Sequence, residues 1–110
     1  MKIIITSRHF KAHESIQDYA ESAVLELSRF YDGIVKANVV LSYERPRQSE
    51  KIAEIVVGVV GTTLSGKAKS EDFLKSIDLA SAKVLRQVKK YKDKLRAKNR
   101  KKIIRIREKV

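Results

Sequence analysis

GTTLSGKA, Gly61 to Ala68, is the stretch on which the fold turns. It spells G-x-x-x-x-G-K, one residue short of a phosphate-binding loop, and the apolar run IAEIVVGVV (Ile52 to Val60) leads into it. A phosphate loop would imply a nucleotide-hydrolysing domain, whereas the same letters in an extended chain make one arm of a hairpin. The loop needs a hydroxyl after its lysine to hold magnesium, and Ala68 stands there instead. It also needs a later strand ending in a carboxylate, but after Gly66 come only one long helical pattern and a basic ending. Leu64, Gly66 and Ala68 alternate with Thr63, Ser65, Lys67 and Lys69, which is the period of a strand. The segment Thr63 to Lys69 is therefore read as the fourth strand, joined to the third by a turn at Gly61-Thr62. An enzyme reading rests on this motif alone.

Working outward, Lys51 to Val60 is the third strand. Before it, RPRQSE (Arg45 to Glu50) holds the single proline and breaks the second strand, Val35 to Arg45. In that strand Val35, Ala37, Val39, Leu41 and Tyr43 alternate with Lys36, Asn38, Ser42 and Glu44, so one face is buried. Lys2 to Thr6, apolar and β-branched, reads as the first strand. Between His13 and Tyr31, Ile16, Ala20, Ala23, Leu27 and Phe30 step by fours and threes, with Tyr19 and Val24 beside them; this is a helix, stopped near Gly33. From Asp72 onward Leu74, Ile77, Ser81, Val84, Val88, Tyr91 and Leu95 form a second helical stripe, with Ser70 as its expected N-cap. The order β-α-β-β-β-α predicts an α+β fold, a four-stranded antiparallel sheet with two helices packed on one face. Residues 1–98 form the domain, and 99–110 a basic C-terminal tail.

Composition narrows the chemistry. A chain of 110 residues with 43% apolar content suits one domain with one core. The absence of cysteine removes disulfides, thiolate metal sites and cysteine nucleophiles, and it fits a reducing compartment. MKIIITSRHF is too short an apolar opening for a signal peptide or a membrane span, so a cytoplasmic protein is expected. His9 and His13 stand four apart but straddle the helix start, and no carboxylates complete a metal site around them. Glu14, Asp18, Glu21 and Glu26 read as the wet face of the first helix. No nucleophile has a recognisable base. No catalytic residue, metal, cofactor or small-molecule substrate is expected.

Charge is the informative property, and its location matters more than its size. The net charge is +12, yet residues 1–82 hold eleven basic and eleven acidic side chains. Residues 83–110 hold fourteen basic and two acidic ones, so the whole excess lies there. On a helical wheel Lys83, Arg86, Lys90 and Lys94 lie opposite and beside the apolar stripe, and Lys89, Lys92 and Arg96 widen the band. Like charges at i, i+3 and i+4 cost an isolated helix a few tenths of a kcal/mol per pair, so stability alone does not favour them. A polyanion that neutralises the stripe does. Only Phe10 and Tyr43 are free for base stacking on this reading, which favours phosphate contacts over stacking.

The residues also carry a resemblance. SEDFLKSIDLASAKVLRQVKKYKDKL, Ser70 to Leu95, resembles the signature helix of the ribosome hibernation promoting factors, also called ribosome-associated inhibitor or light-repressed proteins. Asp72, Ile77-Asp78, Lys83, Arg86-Gln87, Lys90 and Lys92-Asp93-Lys94 stand as in that family, and the opening KIIITSRHF agrees. The resemblance covers about residues 1–98. It implies binding to the small ribosomal subunit and its RNA, in the channel for messenger and transfer RNA, with translation blocked and idle ribosomes preserved under stress or in stationary phase. It also implies RNA contacts by Lys83, Arg86, Lys90, Lys92 and Lys94, with Lys89 on the same band and Arg8 carried by the first loop. Relatives often have lysines in the first helix where this chain has Ala23 and Glu26, and a glycine where it has Ser7. Ending at Val110, it resembles the short members, and a monomer off the ribosome is expected. The alternative is a general double-stranded RNA-binding module, which also sets strands against two helices; there, Glu71 and Asp72 would put negative charge where phosphate should sit.

Overall fold

In the computed structural model the backbone is described for residues 1–43 and 50–108, and side chains for residues 1–43 and 50–97. The chain runs β1 (Lys2–Ser7), α1 (Glu14–Phe30), β2 (Lys36–Tyr43), β3 (Lys51–Val59), β4 (Thr62–Ser70) and α2 (Phe73–Glu108). The sheet order is β1-β2-β3-β4. Most of the RPRQSE break lies outside the described residues.

The α+β class and the element order are as the sequence predicts, but the sheet is mixed. β2, β3 and β4 pair antiparallel, whereas β1 pairs parallel to β2, with Ile3 opposite Ala37 and Ile5 opposite Val39. The expected all-antiparallel sheet fails at this pair for a topological reason. Helix α1 carries the chain back to the end where β1 began, and a strand-helix-strand crossover leaves its two strands parallel.

Rows of side chains across the sheet make the floor of the core. Ile5, Val39, Ile55 and Gly66 stand in one row, and Leu41, Ala53 and Ala68 in the next. All but Ile5 are buried, and Ala20, Val24 and Leu27 of α1 with Ile77, Val84 and Val88 of α2 close over them. Gly66 explains why the motif carries a glycine. A Cβ built there lies 2.6 Å from the Ala80 carbonyl oxygen and 2.8 Å from Lys83 Cβ. Its missing side chain lets α2 lie close on the sheet. The hairpin turns one residue earlier than expected, at Val60-Gly61, because Val59 pairs with Thr62 and Gly61 takes the positive φ of 91°.

The start of α2 also differs. Asp72 is the N-cap: its Oδ1 accepts the Leu74 N–H at 3.1 Å. Ser70 caps nothing; its hydroxyl accepts the Asp72 N–H at 3.2 Å and lies 2.6 Å from Ser76 Oγ. Ser76, fully buried, donates to the Lys51 carbonyl at 2.6 Å and ties the helix to β3. Asp72→Ala is expected to lower stability by about 1 kcal/mol, the usual worth of an acidic N-cap, read as a lower urea midpoint at unchanged slope.

The buried stripe is rotated from the one expected. Phe73, Ser76 and Ala80 face the core while Leu74 is 38% exposed. Periodicity ranks positions by hydrophobicity, but the close approach at Gly66 selects the small Ala80, and Ser76 is held inward by its bonds to Lys51 and Ser70. Gly33 is not a left-handed stop either; α1 ends at Tyr31, whose ring fills the space a Gly33 side chain would need. Finally, α2 continues through residues 99–108, the stretch assigned to a tail. Its 36 residues span about 54 Å at 1.5 Å per residue.

Candidate nucleic-acid interface

The cations of α2 do not form one uniform band; the fold sorts them by what stands opposite each flank. On the flank facing β4, side chains four apart clasp the edge of the sheet. Lys83 Nζ donates to the Lys67 carbonyl at 2.6 Å. Gln87 accepts the Ser65 N–H on Oε1 at 3.1 Å and donates from Nε2 to the Ser65 carbonyl. Tyr91 donates its hydroxyl to the Val60 carbonyl at 2.6 Å. β4 is an edge strand, and an edge strand presents open backbone groups that invite pairing with another chain. The clasp occupies three of them, the Ser65 N–H and carbonyl and the Lys67 carbonyl. The N–H of Ser65, which a phosphate loop would aim at a nucleotide, is taken by Gln87, and so is the Ser65 carbonyl. Gln87→Ala is expected to cost about 1–2 kcal/mol for two lost hydrogen bonds, with faster hydrogen exchange at the Ser65 amide than at the Val57 amide.

On the flank facing α1, Lys92 Nζ donates to the Phe30 carbonyl at 3.3 Å. Its ammonium lies 4.9 Å from the Phe30 ring centroid and that of Lys89 lies 5.6 Å away. Between these flanks, on the side turned from the body, stand Arg86, Lys90 and Lys94. All three are exposed and make no hydrogen bond or ion pair among the described residues. Successive members are four residues apart, a rise of about 6 Å. Of the candidate contacts on α2, these three are the cations the fold leaves uncommitted among the described residues.

Arg8 is not brought to this row. It follows the pairing of Ser7 with Leu41, and its own N–H goes to the Leu41 carbonyl at 2.9 Å. Close by, Phe10 stacks on Phe73 at 5.3 Å, at the first turn of α2. Arg86 lies thirteen residues further along that helix, roughly 20 Å away along its axis.

The aromatics change places as well. Phe10 and Tyr43, expected to be free, pack on each other at 4.7 Å and on Phe73 at 5.3 Å each. Phe30, expected on the apolar face, is 39% exposed at the end of α1. His13 serves the helix start, its Nδ1 accepting the Ser15 N–H at 3.1 Å. His9 sits in the turn after β1 with φ of 65°. Among the described residues no three His, Cys, Asp or Glu side chains gather in a way that suits a metal ion, and no helix is long and apolar enough to cross a membrane. Tyr19 donates its hydroxyl to Asp78 at 2.6 Å and braces α1 to α2. That bond, with lesser help from burial, holds the Tyr19 phenol above its ordinary pKa.

The molecule so defined is a small α+β domain with a clasped sheet edge and a row of free cations along one long helix. The profile of the family described as Sigma 54 modulation protein / S30EA ribosomal protein matches residues 3–96, and the chain belongs to that family. It is 36% identical over 97 residues to the ribosome hibernation promotion factor of Picosynechococcus sp., covering 86% of this chain and 50% of that one. It is 29% identical over 94 residues to the ribosome hibernation promoting factor of Azotobacter vinelandii, covering 86% of this chain and 85% of that one. The chain thus spans about half of the first relative and most of the second. The crystal structure of the Thermus thermophilus Protein Y N-terminal domain superposes with a TM-score of 0.72 at 30% identity, covering 83% of this chain and 99% of that one.

Proposed function

We propose that this protein is a ribosome hibernation factor. It binds the small ribosomal subunit through ribosomal RNA in the channel for messenger and transfer RNA, stops translation and preserves idle ribosomes under stress or in stationary phase. It works in the cytoplasm, carries out no catalytic step and is a monomer when free. The observation that carries the reading is the row Arg86, Lys90 and Lys94, three cations on one helix face with no partner among the described residues. Like charges so spaced oppose the helix that bears them, and phosphates relieve that cost. The names of the relatives point to the ribosome, whose RNA would supply such phosphates. Lys83, Lys89 and Lys92 flank the row, and each ammonium has three donors, so an internal bond leaves donors over for phosphate. Arg8 makes a separate contact near the start of α2.

Cosedimentation with purified small subunits tests the reading. The expected result is saturable binding at moderate salt that weakens steeply as salt rises and is not displaced by a plain RNA duplex. Equal affinity for that duplex would point to a general double-stranded RNA-binding module instead. Absence of binding to either would remove RNA as the partner.

A further inference from the structure

Between α1 and α2 runs an open groove of about 440 Å³, within the range of small-ligand sites. Ala23, Leu27 and Leu85 make it apolar, and Phe30 closes one end with its ring part exposed. Glu26 stands one turn before Phe30 on the same wall of α1 and lines the groove too. In the opposite wall, Ser81 Oγ is buried without a hydrogen-bond partner among the described residues, where a buried hydroxyl ordinarily has one. At the Phe30 end stand the ammoniums of Lys89 and Lys92.

We infer that this groove takes one unpaired nucleotide of the bound RNA, its base stacked on Phe30 and its amino edge turned to Glu26. Lys89 and Lys92 hold its phosphate. The inference rests on the RNA-binding reading above and extends it from phosphate contacts to a base. The charges select the occupant. An acidic peptide meets Glu26 and Asp78 inside the groove, and a basic peptide meets two lysines at its mouth. A nucleotide with an amino-bearing base presents a negative phosphate at one end and positive N–H edges at the other, which matches both ends. Unpaired RNA bases are commonly read by aromatic stacking together with hydrogen bonds to their edges. Adenine and cytosine offer an amino group to a carboxylate. Uracil offers one N–H between two carbonyl oxygens, which a carboxylate repels.

The test is a titration of the isotope-labelled full chain with the pentamers rC5, rA5 and rU5, following backbone amide resonances. With rC5 and rA5, the amides of Ser22, Ala23 and Ser81 in the groove should shift together with those of Arg86, Lys90 and Lys94. With rU5 the groove amides should shift less. Phe30→Ala should weaken rC5 binding about tenfold, the worth of one stacked base, while the dependence on salt keeps its slope. Phe30→Tyr should restore the affinity, and Glu26→Gln should remove the preference over rU5. Shifts confined to the cationic row, with Phe30→Ala binding like the parent protein, would overturn the groove and leave the phosphate reading standing. No shift with any pentamer, and no binding to small subunits, would overturn both.

Discussion

Arg86→Glu combined with Lys90→Glu is expected to abolish cosedimentation with small ribosomal subunits at moderate salt. A hydrogen bond to a charged group contributes roughly 1.5–3 kcal/mol, so losing two such contacts costs at least about 3 kcal/mol, more than a hundredfold in affinity. Reversal adds repulsion from the phosphates. The logarithmic salt slope should also fall by about two, one for each phosphate contact removed. Folding should not suffer. Both side chains are exposed and make no bond among the described residues, and Glu beside Lys83 and Lys94 replaces like-charge neighbours with opposite ones. A double variant that keeps its unfolding midpoint and loses its subunits identifies the row as the contact surface. One that keeps both shows that the ribosome is held elsewhere. Lys83→Gln makes a useful contrast, since Lys83 also bonds the Lys67 carbonyl and its loss should reach stability as well as binding.

Gly66→Ala is expected to destabilise the protein by about 2 kcal/mol, close to 10 °C in melting temperature for a chain of this size. Alanine normally strengthens a strand by stiffening the unfolded chain, a gain of less than about 1 kcal/mol. Here the added methyl meets the Ala80 carbonyl oxygen at 2.6 Å, and backbone in a helix cannot swing aside as a lysine stem can. Helix α2 has to lift off β4, which loosens Val84 from the core and slackens the Lys83 and Gln87 bonds to the sheet edge. The urea midpoint should fall with the slope unchanged, because the same surface is exposed on unfolding. A neutral Gly66→Ala would show that the helix seats with slack. Gly61 differs: nothing lies within 4 Å of its missing side chain, and only its positive φ resists substitution, at a smaller cost.

Much of this was legible in the chain because it depends on near neighbours. Alternation from Leu64 to Ala68 against Thr63 to Lys69 is a local pattern, and it made GTTLSGKA a strand without reference to any other residue. The period of α2 and the placing of the charge excess beyond residue 82 are equally local. What escaped depends on residues far apart. Gln87 and Tyr91 form the edge clasp with Ser65 and Val60, and only their spacing of four from Lys83 hinted that they share a flank. Phe30 counts as a core residue by its hydrophobicity; its exposure follows from its place at the last turn of α1, where neighbouring α2 presents lysines instead of an apolar face.

Sequence by itself determined the strands and helices, their order, the neutral body with its cationic helix, and the hairpin in place of a phosphate loop. Each follows from side-chain spacing and charge, which need no partner to be read. Tertiary structure alone decided the parallel pairing of β1 with β2, the rotation of α2 that buries Ser76 and Ala80 and exposes Leu74, and the division of one basic stripe into clasping and free cations. The physical reason is that a helix's own period fixes which residues share a flank, while only packing against a sheet and a second helix fixes what each flank meets.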